Sequence, residues 1–145
     1  MGITDELRCR LARPDDLAWC AREDELVTKE VIQRKIELQE IFLAELEGRI
    51  VGYLRLEALW SVVPYIGVIF VKEDYQRQGV GRAILEFVEA CLREQGHKML
   101  LSSSSVTEPA PQRWHRAVGF EECGILAGLN EGIGEIFFRK SLTSR

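Results

Sequence analysis

Val71-Lys72-Glu73-Asp74-Tyr75-Gln76-Arg77-Gln78-Gly79-Val80-Gly81-Arg82 is the stretch where an apolar run ends and a long amphipathic one begins. Upstream, Val62 to Val71 is rich in β-branched and aromatic residues and reads as a strand. Downstream, Val80, Ile84, Phe87, Val88, Cys91 and Leu92 recur at helical spacing, and Gly96 marks the helix end. A strand that empties through a polar, glycine-bearing loop into a helix start gathers backbone N–H groups with no partner earlier in the helix, and the helix dipole adds positive potential there. Such a place suits an anion, a pyrophosphate above all. Glycine at 79 and 81 lets phosphate oxygens approach the amides and tolerates positive φ.

Two familiar phosphate loops do not fit. A Walker A loop needs Lys-Ser/Thr after its last glycine, where this chain has Arg82-Ala83. A dinucleotide fingerprint needs a third glycine at 84, where this chain has Ile84. The pattern Gln76-x-x-Gly79-x-Gly81, behind the strand Gly67-Val68-Ile69-Phe70-Val71 and ahead of an amphipathic helix, resembles the pyrophosphate loop of the GNAT N-acetyltransferase superfamily. A second segment, Pro109 to Phe120, resembles that superfamily's short helix ending in Tyr-x-x-x-Gly-Phe, with His115 at the tyrosine position. Together the resemblance spans about residues 50 to 142.

Working outward, Leu7 to Leu11 alternates as a half-buried strand does, and Arg13-Pro14-Asp15-Asp16 supplies helix-start chemistry. Leu17 to Gln39 predicts one or two amphipathic helices, broken near Asp24-Glu25. Ile41 to Glu47 and Ile50 to Leu59 predict a hairpin about Gly48-Arg49. Met99 to Leu101 is the core of another strand, and Ser102 to Ser105 follows as a local serine run. Ala110 to Val118 is a short helix, and Phe120 to Ala127 with Glu135 to Leu142 forms a closing hairpin around Asn130-Glu131-Gly132. The expected fold is α+β: one domain over residues 1–145, with a mixed, mostly antiparallel sheet flanked by helices. The strand–helix–strand unit from Tyr65 to Leu101 supplies one parallel pair.

The chain has 145 residues, 46% hydrophobic and 29% charged, with net charge −4 and scattered basic residues, so no nucleic-acid partner is expected. No apolar run approaches the roughly 20 residues of a membrane span, and the N-terminal stretch lacks the apolar core of a secretory signal. A cytoplasmic protein without membrane contact is the resulting expectation. Cys9, Cys20, Cys91 and Cys123 show no CxxC spacing and read as buried thiols, and no metal site is expected.

The resemblance implies an acyl-CoA-dependent N-acyltransferase in which a primary amine, of a small molecule or a protein, attacks acetyl-CoA directly in a ternary complex. It implies that Ile69, Phe70 and Val71 line the pantetheine arm, that the Ile69 backbone N–H is the oxyanion donor, and that Gln76, Arg77, Gln78, Gly79, Val80, Gly81 and Arg82 hold the pyrophosphate. An alkylamine with a pKa near 10 is about one part in a thousand neutral at pH 7, so a proton must be removed. The family often has a glutamate base where this chain has Tyr65, which leaves Tyr65, or Glu57 through water, as the route. His115 is expected either to protonate the leaving thiolate or relay the amine proton, or else to be a packed histidine. A non-catalytic acyl-CoA sensor is the alternative reading, and a homodimer is compatible with both.

Overall fold

The computed structural model describes Gly2, Ile3 and residues 6 to 143. The elements run β1 (Arg8–Leu11), a 3-10 turn (Pro14–Asp16), α1 (Leu17–Glu23), α2 (Lys29–Glu37), β2 (Ile41–Leu46), β3 (Arg49–Leu59), β4 (Val63–Val71), a second 3-10 turn (Glu73–Tyr75), α3 (Val80–Glu94), β5 (Met99–Ser105), α4 (Pro109–Ala117), β6 (Glu121–Leu126) and β7 (Glu135–Ser141). The sheet order is β1-β2-β3-β4-β5-β7-β6. The chain forms two compact units: residues up to Leu56 with Gly67–Val88, and Glu57–Ile66 with Glu89 onward. Strands β3 and β4 and helix α3 each contribute to both.

In the first unit, β1 pairs antiparallel with β2 and β2 with β3. The β2–β3 turn falls on Glu47-Gly48, both at positive φ, one residue earlier than Gly48-Arg49. The helix break expected near Asp24 has a physical cause. The Asp24 carboxylate is 2% exposed and accepts from Arg55 Nε at 2.7 Å and from the Tyr53 hydroxyl at 2.6 Å. It also accepts from Leu26 N–H, turning the chain out of α1 before Thr28 caps α2. Cys20, Ile32, Ile36, Ile41, Leu43 and Tyr53 form the core, with Trp19 and Phe70 packed against it.

In the second unit, β4 pairs parallel with β5 at Tyr65↔Leu101 as expected, and β5–β7 and β7–β6 pair antiparallel. Strand β5 runs through the whole serine stretch to Ser105. Helix α4 ends in a 6→1 bond from Phe120 N–H to the His115 carbonyl (2.9 Å) with Gly119 at φ +101. A side chain at Gly119 would also meet Lys140, whose ammonium donates to the Val118 carbonyl at 2.6 Å and pairs with the buried Glu89 at 2.7 Å.

The cysteine expectation needs correction. Cys20 is buried, with its thiol pushed up to about 12 mainly by desolvation, but Cys9 and Cys91 are half-buried and Cys123 is exposed. Cys123 is the extra residue where the β6–β7 register shifts between Glu122 and Gly124, on an edge strand that nothing among the described residues covers.

Candidate active site

The phosphate-loop stretch lies in the first unit and is built from both ends. On the strand side, Gln76 Nε2 donates to the Val71 carbonyl at 3.0 Å, and Gln78 Nε2 to the Asp74 carbonyl at 3.2 Å. On the helix side, Ala83 N–H bonds to the Gly79 carbonyl at 3.0 Å, so the α3 ladder starts at Gly79. Two residues between these anchors are left-handed, Arg77 at φ +63 and Gly79 at φ +87. Arginine in that region costs on the order of 1 kcal/mol and persists only where its surroundings demand it. Left-handed backbone at these two positions turns the chain sharply from the end of β4 into the start of α3.

What seats the helix start is Gly52, a residue the sequence reading passed over. A Cβ there would stand 2.5 Å from Ile84 Cδ1 and 3.0 Å from Val80 Cγ1, so β3 carries a glycine where α3 lies against it. Val80 and Ile84 are accordingly almost fully buried. Gly81 sits one residue inside α3, without the positive φ that Gly79 takes.

At the end of β4, Lys72 N–H donates to the Val51 carbonyl of β3 at 2.8 Å. Backbone N–H groups alternate between the two edges of a strand, so with Lys72 directed at β3 the amides of Ile69 and Val71 point to the other edge.

The second unit holds Tyr65 and His115, and β5 separates them. Ser102 and Ser104 are buried on one face of β5, and Ser103 and Ser105 are half-buried on the other. His115 is 4% exposed and lies with Ser102. Its Nδ1 is 2.8 Å from the Pro111 carbonyl and its Nε2 is 2.7 Å from Ser102 Oγ. A carbonyl only accepts, so Nδ1 carries the proton and Nε2 accepts from the serine hydroxyl. The ring stacks on Phe138 at 4.4 Å and 6°, with Phe120 and Trp114 edge-on. Desolvation holds its pKa below the usual value, with Arg116 adding to the effect and the Pro111 bond opposing it.

Tyr65 occupies the opposite face. Its ring stacks on Phe137 at 5.8 Å, and its hydroxyl is 2.8 Å from Ser103 Oγ, which donates to Glu135 Oε2 at 2.8 Å. The other oxygen of Glu135 accepts from Asn130 Nδ2. Glu57, the water-mediated alternative, stands half-buried on β3. Sequence reading missed Ser103 and Glu135: one looked like part of a low-information serine run, and the other lies 32 residues further along the chain.

Among the described residues, no group of three or more His, Cys, Asp or Glu is placed to hold a metal ion, and no helix is long and apolar enough to cross a membrane.

A curated aminoglycoside N(6')-acetyltransferase type 1 from Stenotrophomonas maltophilia is 40% identical over 62 residues, which span 43% of this chain and 40% of that relative's length. Ard1 from Thermoplasma volcanium superposes with a TM-score of 0.83 at 17% identity, covering 96% of this chain and 99% of its own. A GNAT family acetyltransferase from Elizabethkingia anophelis with acetyl-CoA bound superposes with a TM-score of 0.72 at 21% identity, covering 94% and 99%. At those identities the two structures speak for the fold. The family model for the acetyltransferase (GNAT) domain matches residues 37–122, more than half of the chain and inclusive of the loop, α3, β5 and α4, so this chain belongs to the GNAT acetyltransferase family.

Proposed function

We propose that the chain works as one domain that transfers an acetyl group from acetyl-CoA to a primary amine by direct attack in a ternary complex. The observation that carries this reading is the loop from Gln76 to Arg82, in which Arg77 and Gly79 take left-handed backbone ahead of the 15-residue helix α3. Amides of that loop and of the first turn of α3 cradle the pyrophosphate. The N–H groups of Ile69 and Val71, directed away from β3, bond to the pantetheine arm flanked by Phe70, and the Ile69 N–H then stabilises the oxyanion as nitrogen adds to the thioester carbonyl. Preorganised donors of this kind typically contribute ~10²- to 10³-fold to kcat.

Of the two candidates for proton transfer, we assign the work to Tyr65. His115 has both nitrogens engaged, is held neutral and is sealed among three aromatic rings, so its role here is to hold α4 against β5 and β7. The proton for the leaving thiolate then comes from Tyr65 or solvent.

Calorimetric titration of acetyl-CoA tests the assignment of the loop. Gly79 at φ +87 excludes a β-branched side chain locally, so Gly79→Val is expected to abolish binding while the folded core survives. A folded Gly79→Val protein with wild-type acetyl-CoA affinity would show that the pyrophosphate lies elsewhere.

A further inference from the structure

We infer that Ser103 and Glu135 complete a proton relay beginning at Tyr65, with the Glu135 carboxylate as its terminal acceptor. The inference rests on the acetyl-transfer reading, and on a direction built into the hydrogen bonds. Ser103 has one hydroxyl proton and donates it to Glu135 Oε2 at 2.8 Å. The contact between Tyr65 and Ser103, also 2.8 Å, must then run from the tyrosine hydroxyl to the serine oxygen. That leaves the Tyr65 oxygen with a free acceptor position, and the whole chain is polarised toward the carboxylate.

The surroundings hold it in this sense. Phe137 fixes the Tyr65 ring by stacking, and Asn130, in the β6–β7 turn with left-handed backbone (φ +54), binds the second oxygen of Glu135. All three relay residues are half-buried, unlike the sealed His115, so a bound amine has a way to the Tyr65 hydroxyl.

The step balances. The amine enters the step neutral, its ammonium proton already released to solvent; as the C–N bond forms, the nitrogen becomes cationic and gives one proton to the Tyr65 oxygen. Tyr65 passes its own proton to Ser103, and Ser103 passes its proton to Glu135. The C–S bond then breaks with its electron pair on sulfur, and the proton on Glu135 returns along the chain or through solvent to the thiolate. The products are an N-acetyl amide and CoA thiol, with no oxidant or metal required. Tyr65 is the group that touches substrate, whereas Ser103 and Glu135 act through it.

Steady-state thiol release with acetyl-CoA tests this, using an aminoglycoside bearing a 6′-amine, spermidine and a peptide with a free N-terminal alanine as acceptors. Glu135→Gln, Ser103→Ala and Tyr65→Phe are each expected to lower kcat by ~10²-fold or more, within the range for general acid–base catalysis. KM for acetyl-CoA should stay within about twofold in each. In mixtures of light and heavy water the wild-type rate should bow downward, from several protons in flight, and become linear in Ser103→Ala. Ser103→Ala and Tyr65→Phe remove only hydroxyls, so at least one variant is expected to fold even if Glu135→Gln loosens the β6–β7 turn. Wild-type turnover combined with variants that keep kcat within twofold, and a Ser103→Ala rate that still bows with heavy-water content, would overturn the relay and leave acetyl transfer standing. Absence of wild-type turnover with every acceptor would overturn both.

Discussion

The two faces of β5 carry similar chemistry to opposite ends. On one face Ser102 donates to a histidine that is closed on every side, with Pro111 on its other nitrogen and Phe138 flat against its ring. On the other face Ser103 links a half-buried tyrosine to a half-buried carboxylate. The first cluster is complete, since each donor has its acceptor and no lone pair of the ring points outward. The second has a vacant acceptor position at one end and a charge at the other. A titratable side chain becomes chemically useful through what its partners leave free, and an ordinary histidine pKa in the sequence says nothing about that.

The comparison can be broken most sharply at His115. His115→Ala removes one buried and one part-buried hydrogen bond and the ring stacked on Phe138, and is expected to cost about 3 kcal/mol of stability. Ser102→Ala, which removes one of those bonds, should cost about 1 kcal/mol. Denaturant unfolding checks both, and kcat of the folded fraction should stay within a few-fold of wild type. A loss of kcat above ~10²-fold in a stable His115 variant would return the proton to that side of the strand.

A smaller effect appears in the pH dependence of stability. With His115 held neutral in the fold, the unfolded chain binds a proton near pH 6.5 that the folded chain refuses. Stability from this source is therefore full above about 6.5 and is lost as pH falls from there toward the lowered folded value. His115→Phe should flatten that decline in melting temperature as pH falls below about 6.5. The Asp16 carboxyl is lowered chiefly by its hydrogen bond from Arg10, so its stabilisation is present above its ordinary value near 3.8 and is lost only as pH falls below that, outside this window. An identical decline in His115→Phe would mean that the ring takes up a proton without penalty.

Much of this molecule was legible in its sequence, for identifiable reasons. The helices, the β2–β3 and β6–β7 hairpins and the parallel Tyr65↔Leu101 pair follow from periodicity, turn residues and crossover rules. The Gln76–Arg82 loop stood out because glycine spacing at a helix start is local information. Strand β5 extends past its apolar core because its ladder with β7 runs on to Ser105 and Ser102 bonds to His115 of α4, which serine's own character does not announce. The β3–β4 turn at Trp60-Ser61, with φ +55 and +64, lacks the Asn-Gly signature of such turns and gave no warning. Glu135 joins Ser103 only across the β5–β7 ladder, and Gly52 matters only because α3 lies on it. Residues whose role depends on a neighbour far along the chain are those a linear reading passes over.

The central claim is that the loop after β4 delivers acetyl-CoA for transfer to an amine. Its most direct test is to incubate the purified chain with acetyl-CoA and the three acceptors named above, following free thiol and the acetylated amine by mass spectrometry. Stoichiometric appearance of CoA thiol and one N-acetylated acceptor, lost in Gly79→Val, is the predicted result. Tight acetyl-CoA binding with neither thiol nor acetylated amine above the uncatalysed background would contradict the claim and leave a protein that binds the thioester without turning it over.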